Sequence, residues 1–551
     1  MSDQNASRHW IQKMLPYAAL TLLAICLLGF NHVLELRAEE GRRALVTFEM
    51  MEHDNMIVPY QYGHLYYNKP PLFNWVIAAF FGLFDSISEA ALRLPGALSL
   101  LVTAWLLYYI GKRYLTKEVA LMSAAFSLTL ADMLFYGSIN AGEIDLFYSL
   151  VVVAQMISIF WFFQRKQWAL LFFVSYALTT IGLLTKGLPS LAFQGLTLLA
   201  YFTYKRSFRK LFAWQHFVAV ALMLSATSAY FLAYAEYGDA ISYAVNIFKQ
   251  ASQRSANESS FLKTVSQLLE FPPMFLSKLL PWSLALLFLF FKPIRQALAK
   301  NEWTLFLVIF TIANIPIYWT APDLRIRYTY MFFPLLSVLF AQLLFFGIEQ
   351  KPSISKMLLT FFKVITLIVG LGLIVLAFLN LGLPAVHRAY LMIIGSIILV
   401  IGWWFWKSEV SFHSYWWLIL VLGFARLGYN LVGLPYTNSQ RYEFRATVSK
   451  MIETAENTPI HYYDQLMVLE PSISLLGTDY YRAELEMPVD QTSSFAYYYG
   501  LYTGNVMTID TVLTSGDYYV LFSTDMNEQL VPLDTFEKMI GGSTMYFCRA
   551  K

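Results

Sequence analysis

Cysteine and charge are what this 551-residue chain has least of. It holds only Cys26 and Cys548, which excludes a disulfide-stapled scaffold. Charged residues make up 14%, against about a quarter in a soluble globular protein. So few charges cannot clothe a water-facing surface, and 58% hydrophobic residues exclude intrinsic disorder. Charge of one sign is lacking too: a net +3 is too small to point to nucleic acid. The sequence has no His-Glu-x-x-His, no Cys-x-x-Cys, no phosphate-cradling glycine loop and no nucleophile elbow. What it has in quantity is apolar sequence, with aromatics at 17%, which suit membrane interfaces and sites that hold sugars or lipid.

A membrane-spanning helix needs roughly 20 apolar residues. Thirteen runs approach that length, at 16–30, 90–111, 118–135, 144–163, 168–185, 187–204, 214–235, 279–292, 303–320, 328–348, 357–380, 384–406 and 414–432. The first has no small-residue cleavage site and reads as a retained anchor. Lys112, Arg113, Lys117, Arg165, Lys166, Lys205, Arg206, Arg209, Lys210, Lys292, Arg295, Lys300, Lys351, Lys356 and Lys407 all fall in connections on one side of a thirteen-helix arrangement. The positive-inside rule makes that side the cytoplasm, with the N-terminus inside and the C-terminus outside. The expected fold is an all-α polytopic membrane domain over 1–432 with juxtamembrane helices. Its first outer loop is 31–89 and its second large outer loop is 236–278. Beyond it, 433–551 lose the membrane pattern. Strand-like runs at 460–463, 495–499, 518–522 and 544–548, with a helical stretch at 443–455, read as a soluble outer α/β domain.

Ionisable residues at a membrane edge need explaining. Arg37-Ala38-Glu39-Glu40-Gly41-Arg42-Arg43-Ala44 follows the first run. Beyond it Leu45, Phe48 and Met51 recur as one face of a helix lying on the membrane. Glu39 and Glu40 at its N-terminus fit helix capping and equally a carboxylate aimed into a cavity. Tyr66-Tyr67-Asn68-Lys69-Pro70-Pro71 holds an ammonium in a proline-stiffened segment, fit for a phosphate or for snorkelling to the interface. Glu143 and Asp145 open another membrane helix. Being two apart, they are expected on different faces, with one entering a given cavity. Lys186, Arg254, Arg325, Arg327 and Tyr328 add cations and a tyrosine to the same outer side. His53, Asp54 and His64 share the first loop, where histidines are ordinarily solvated. No cofactor is assigned, and a divalent metal is allowed but unsupported.

These segments resemble the polytopic GT-C glycosyltransferases that use polyprenyl-phosphate sugars, the bacterial group that includes the aminoarabinose transferase of lipid A and relatives of protein O-mannosyltransferases. The resemblance rests on Glu39-Glu40-Gly41-Arg42-Arg43-Ala44, Glu49-Met50, Pro59, Lys69-Pro70-Pro71-Leu72 with Trp75, and Arg93-Leu94-Pro95. It continues through the segment ending at Asp145, Lys186-Gly187, Pro281-Trp282 and Arg327-Tyr328 to Pro334. Three positions depart from the family pattern: Glu39 replaces an Asp, Arg43 replaces a Tyr, and Asn68 stands where the aminoarabinose enzymes have Glu.

The resemblance implies an inverting transferase in the bacterial inner membrane, with a C-terminal periplasmic domain. It would move a sugar from a polyprenyl (undecaprenyl) phosphate to lipid A, another glycolipid or glycan, or a protein hydroxyl. Glu39 or Glu143 would be the carboxylate at the acceptor, with Glu40 and Asp145 as neighbouring candidates. Lys69, Arg254 and Arg327 would hold the donor phosphate, and Tyr66, Tyr328 and Lys186 would contact substrate. A transporter would instead show mid-helix charges and two similar halves. A receptor would place its informative residues in the outer domain.

Overall fold

The computed structural model describes residues 2–136, 138–253, 261–321, 324–439, 443–456, 458–464, 492–540 and 543–551. Each of the thirteen apolar runs lies on helical backbone. The first ten helices are α1 (Ser2–Leu28), α2 (Ala38–Glu52), α3 (Leu72–Phe84), α4 (Glu89–Gly111), α5 (Lys117–Leu128), α6 (Ile144–Gln164), α7 (Trp168–Lys186), α8 (Pro189–Tyr204), α9 (Trp214–Tyr234) and α10 (Ala240–Gln253). Nine helices among the described residues are long and apolar enough to cross a membrane. They are ten if Val265–Lys278 and Trp282–Phe290, which meet at 117°, form one bent span. The expected thirteen thus include shorter helices. The apolar part of α1 is Gln12–Leu28, α5 has 12 residues and passes into a π-helical turn at Asp132–Tyr136, and α8 has 16. Hydropathy averages across such breaks, so run length alone overstates helix length.

The bundle buries its contacts and leaves apolar flanks open. Phe217, Leu222, Leu224 and Leu232 of α9, and Met357, Ile368, Leu371 and Phe378 of Pro352–Phe378, are exposed. Apolar surface on this scale is not left to water; it fits acyl chains. Several interior polar groups pair with one another, as the lack of water at this depth favours. Gln155 donates to Thr179 and Gln194, each at 2.8 Å, and Trp282 Nε1 donates to Thr129 at 2.9 Å. The helix α4 starts beside the C-terminal sheet domain, where Glu89 pairs with Arg445 at 2.5 Å, and ends before Lys112 and Arg113. The cation-rich connections therefore lie at the opposite end from that domain.

Between α2 and α3 the chain makes a two-residue hairpin, β1 (Tyr60–Gln61) against β2 (His64–Leu65). Its turn residues Tyr62 and Gly63 have φ of 57° and 77°, the conformation a tight hairpin needs and glycine adopts without strain. Glu49 of α2 fixes this turn by accepting the N–H groups of Tyr62 (2.7 Å) and Gly63 (2.8 Å).

The C-terminal sheet has the order β4-β3-β5-β7-β6. It comprises β3 (Ile460–Tyr463), β4 (Ile509–Asp510), β5 (Tyr518–Phe522), β6 (Leu530–Ile540) and β7 (Ser543–Ala550). The pair β3–β4 and the pair β3–β5 are parallel, and the pairs involving β7 are antiparallel. The run at 495–499, expected as a strand, belongs to the helix Thr492–Thr503. Its residues 492–500 are all buried, and a segment apolar on every side has no period to separate helix from strand.

That helix packs on α2. Leu45 and Phe48 share one core with Phe495 and Tyr499, and with Val448 of the helix Phe444–Thr454. The apolar face of α2 is thus covered by protein and not by lipid, which corrects the expectation of a helix lying on the membrane. Gly41 makes the approach close: a Cβ there would stand 2.4 Å from Ser494 Oγ and 3.1 Å from its backbone nitrogen.

Candidate active site

The start of α2 separates its two glutamates. Arg37 is extended (φ −145°, ψ 147°) and the helix begins after it, with both acids in the first turn, where the helix dipole favours anions. Consecutive residues on a helix point about 100° apart, so they diverge. Glu40 turns inward. Its Oε1 accepts from Arg37 N (3.0 Å) and Arg93 Nη2 (2.9 Å), and its Oε2 from Arg93 Nε (2.9 Å) and Gly142 N (2.9 Å). Both side chains of this pair are fully buried. Arg93 also donates to the carbonyls of Asn31 (2.6 Å) and Leu34 (2.7 Å). With every acceptor position occupied, Glu40 knits the entry of α2 to α4 and the loop before α6.

Glu39 turns the other way, and its Oε1 receives Arg325 and Arg327, each at 2.6 Å. Arg327 is the hub. It also pairs with Glu143, and its Nε lies 3.4 Å from Asp145. Glu143 is the N-cap residue of α6 and is extended (φ −93°, ψ 149°). It is therefore not bound to helical spacing, and it and Asp145 converge on one guanidinium, contrary to the expectation that only one would enter a given cavity. Lys186, in the last turn of α7, forms a buried ion pair with Asp145. Its ammonium stands 4.4 Å from the ring centre of Tyr328 and 5.2 Å from that of Tyr148, within cation–π range. Three carboxylates and three cations from α2, α6, α7 and 325–327 thus form one network.

Burial alone would raise the Glu39 carboxyl. The guanidiniums of Arg327, then of Arg42, Arg43 and Arg325, outweigh it and hold the group at about 2. Arg327 is held firmly protonated by its carboxylates against its own burial. A base works best with a pKa near the working pH, so Glu39 clamped by arginines is a poor one. It gains basicity only when an incoming anion draws the arginines away.

Lys69 lies on the neighbouring segment, half-buried. That segment is held from two sides. Tyr243 Oη donates to the Lys69 carbonyl (2.8 Å) and Asn246 Nδ2 to the Tyr67 carbonyl (2.9 Å), both from α10. On the other side, Arg43 Nη2 of α2 donates to Tyr66 Oη at 2.8 Å. The structure thus gathers Glu39, Glu143, Asp145, Lys186, Arg327 and Tyr328 into one network, and ties Tyr66, on the Lys69 segment, to α2. It turns Glu40 away, and Arg254 lies outside the described residues. Arg93 was missed as the partner of Glu40, because a contact between residues 53 apart leaves no local signal. No group of three or more metal-ligating side chains occurs among the described residues.

Residues 68–231 match the family model described as dolichyl-phosphate-mannose-protein mannosyltransferase. That stretch holds Lys69, Glu143, Asp145 and Lys186, but not Glu39 or Arg327. The undecaprenyl phosphate-alpha-4-amino-4-deoxy-L-arabinose arabinosyl transferase of Erwinia tasmaniensis is 30% identical over 187 residues, 32% of this chain and 33% of that protein. A transferase of the same name from Pseudomonas fluorescens is 27% identical over 180 residues, 31% of each. An uncharacterised protein of Aquifex aeolicus is 36% identical over 95 residues, 17% of this chain and 23% of that one. The matched stretches therefore span about a third or less of these curated relatives. Among solved structures, ArnT from Cupriavidus metallidurans bound to undecaprenyl phosphate superposes with a TM-score of 0.65 at 18% identity, covering 98% of both chains. In fold over nearly its whole length, and in sequence over about a third of it, the chain resembles the GT-C type of membrane glycosyltransferase.

Proposed function

We propose that this protein is a glycosyltransferase that moves a sugar from a polyprenyl-phosphate donor to an acceptor at the membrane face carrying the sheet domain. The observation that carries the reading is the Glu39–Arg327–Glu143/Asp145–Lys186 network, set at that end of an ArnT-like fold beside the Lys69 segment. Lys69 and Arg327 take the donor phosphate; Arg254 is the third cation assigned to it. Drawing Arg325 and Arg327 towards the phosphate loosens their hold on Glu39, which then accepts the acceptor hydroxyl's proton. The acceptor oxygen bonds to the anomeric carbon as the carbon–oxygen bond to phosphate breaks. Polyprenyl phosphate leaves with the electron pair, its new charge met by the cations. A single displacement of this kind inverts the anomeric centre. Glu143 and Asp145, the latter held by Lys186, keep Arg327 anchored at the site as it turns from Glu39 to the phosphate, and Tyr66 and Tyr328 line the substrate side.

The positive-inside rule puts the cation-rich connections in the cytoplasm and the sheet domain in the periplasm of a bacterial inner membrane. The relatives' names favour undecaprenyl phosphate as carrier, and the family resemblance of the sequence motifs favours a lipid A-type or other glycan acceptor. The name of the family matched over 68–231 favours a second reading, a protein hydroxyl as acceptor. The test is purified protein in nanodiscs, offered radiolabelled polyprenyl-phosphate sugars and a membrane extract. Label passing into one fraction (lipid, glycan or protein), and falling at least a hundredfold in Glu39→Gln, is expected. Folded, monodisperse protein that turns over no donor overturns the reading.

A further inference from the structure

Glu143 reaches Arg327 from a backbone that has left the helix. After α5 the chain makes the π-helical turn Asp132–Tyr136 and a 3-10 turn, Ser138–Asn140, before Glu143 caps α6. Irregular backbone within a membrane bundle no longer satisfies its own carbonyls, so other protein groups must. Here the partner is Arg426, which is 1% exposed and lies near the end of the helix Tyr415–Gly428. Its Nη1 donates to the Leu134 carbonyl in the first turn, and its Nη2 to the side-chain oxygen of Asn140 in the second. One guanidinium thus bridges both turns, as its planar fork of donors permits and a lysine ammonium would not.

Stability alone does not explain the choice of arginine. No carboxylate pairs with Arg426 among the described residues, and its Nε is buried without a partner. Besides the two neutral oxygens, it has the Tyr429 ring, whose centre is 5.3 Å from the guanidinium carbon. A buried charge answered only in this way is costly. Its surroundings are unusual as well. Turns of π-helix are rare and tend to occur at functional sites. A second one, Tyr429–Gly433, follows Arg426, and the two turns touch through Phe135 and Tyr429, with ring centres 5.8 Å apart.

The hold on Asn140 passes to the site. Only Ala141 and Gly142 separate Asn140 from Glu143. Asn140 Nδ2 donates to Asn31 Oδ1 at 3.2 Å, and the Asn31 carbonyl receives Arg93, the partner of Glu40. Glu40 in turn accepts from Gly142 N. Gly142 is also pressed against α4: a Cβ there would stand 2.5 Å from Leu92 Cγ. The link before Glu143 is therefore fixed at one end through Arg426 and at the other through Glu40. Since Glu143 is extended, this link and not the helical repeat of α6 sets where its carboxylate goes.

Resting on the transferase reading, we infer that Arg426 is a positioning residue for transfer: by bridging Leu134 and Asn140 it fixes the turn from which Glu143 holds Arg327. It acts through Glu143 and not on the substrates.

The test uses full-length protein in nanodiscs and two variants, Arg426→Gln and Asn140→Leu. The second leaves Arg426 its Leu134 and Tyr429 contacts and carries the test if the first does not fold. Hydrogen exchange at residues 141–145 should quicken at least tenfold in each variant, with α9 and β5 unchanged. Transfer from polyprenyl-phosphate sugars to a membrane extract should fall at least tenfold in kcat/KM. Beside Glu143→Gln, where Asp145 still faces Arg327, the same substitutions should cost less than a further twofold, because contacts that act through one another are not additive. A merely structural role would lower transfer equally in both backgrounds. Unchanged exchange at 141–145 in both variants overturns the inference, as does a loss of transfer that persists undiminished beside Glu143→Gln. No transfer from any donor by the wild-type protein, with the local quickening of exchange intact, removes the transferase reading and leaves Arg426 as the residue that holds the Glu143 turn.

Discussion

The two adjacent glutamates of α2 should fail in different ways, and Glu40 allows the failure to be sized. Replacing it with Gln keeps the shape and exchanges one oxygen for an NH2 group. Each oxygen of Glu40 accepts from two N–H donors: Oε1 from Arg37 and Arg93, Oε2 from Arg93 and Gly142. Whichever way the amide turns, its NH2 faces two donors. Arg93 is left fully buried with only backbone carbonyls and one neutral oxygen. Breaking a buried ion pair by removing one partner costs about 3–5 kcal/mol. Two lost charge-assisted hydrogen bonds, at about 1.5–3 kcal/mol each, give the same range. For 551 residues, an unfolding entropy of about 2.1 cal/mol/K per residue gives roughly 0.9 °C of midpoint per kcal/mol, a fall of about 3–4 °C. The assay is the thermal midpoint of detergent-purified Glu40→Gln against wild type, with Glu39→Gln beside it. Glu39→Gln, whose side chain is 25% exposed, should move the midpoint by less than that while removing transfer. A Glu40→Gln protein of unchanged midpoint and lost transfer would refute the reasoning and put Glu40 in the cavity.

Glu39 has a carboxyl held at about 2, below the ordinary value of about 4.3. Its stabilising contribution is therefore complete above about pH 5 and fades as pH falls towards 2. The midpoint gap between wild type and Glu39→Gln should close over that range; a gap independent of pH would contradict the assignment. Gly41→Val drives side-chain atoms into Ser494, where a Cβ already lies 2.4 Å from Oγ. Hydrogen exchange should speed up in the helix Thr492–Thr503 and not in α4 or α6; uniform exchange changes would deny a local docking role. Asn246→Ala removes the donor to the Tyr67 carbonyl, at a cost of about 1–3 kcal/mol. Initial rates should show donor KM rising more than kcat falls, and a pure kcat effect would separate α10 from donor binding.

Apolar composition was enough to place the thirteen apolar runs on helical backbone, because hydrocarbon demands long apolar helices and tolerates little else, but it did not show α10 or the helix Phe261–Lys278 inside the stretch expected as the second outer loop. It was not enough to set their lengths. The π-helical turn after α5 and the 117° bend before Trp282 interrupt sequences whose hydropathy continues through them. The helix Thr492–Thr503 was misjudged because contact with α2 buries it on every side, and β6 was missed because Pro532, Asp534 and Lys538 break its apolar alternation. At the candidate site, residue type and membrane-edge position picked out Glu39, Glu143, Asp145, Lys186 and Arg327. Their convergence on one guanidinium needed tertiary structure. So did the parting of Glu39 from Glu40, since the direction of a first-turn residue depends on where the helix begins. Arg43 was visible only as a departure from the family pattern; its burial, with Nη2 on Tyr66, appears only in three dimensions.

The most direct measurement of the central claim counts products. Purified protein in nanodiscs is given a polyprenyl-phosphate sugar and a membrane acceptor, and mass spectrometry follows free polyprenyl phosphate and glycosylated acceptor together. The account predicts one polyprenyl phosphate released per sugar transferred, with both products lost in Lys69→Ala at unchanged unfolding midpoint. Intact donor after incubation with every sugar and acceptor offered, or turnover unaffected by Lys69→Ala, would contradict it.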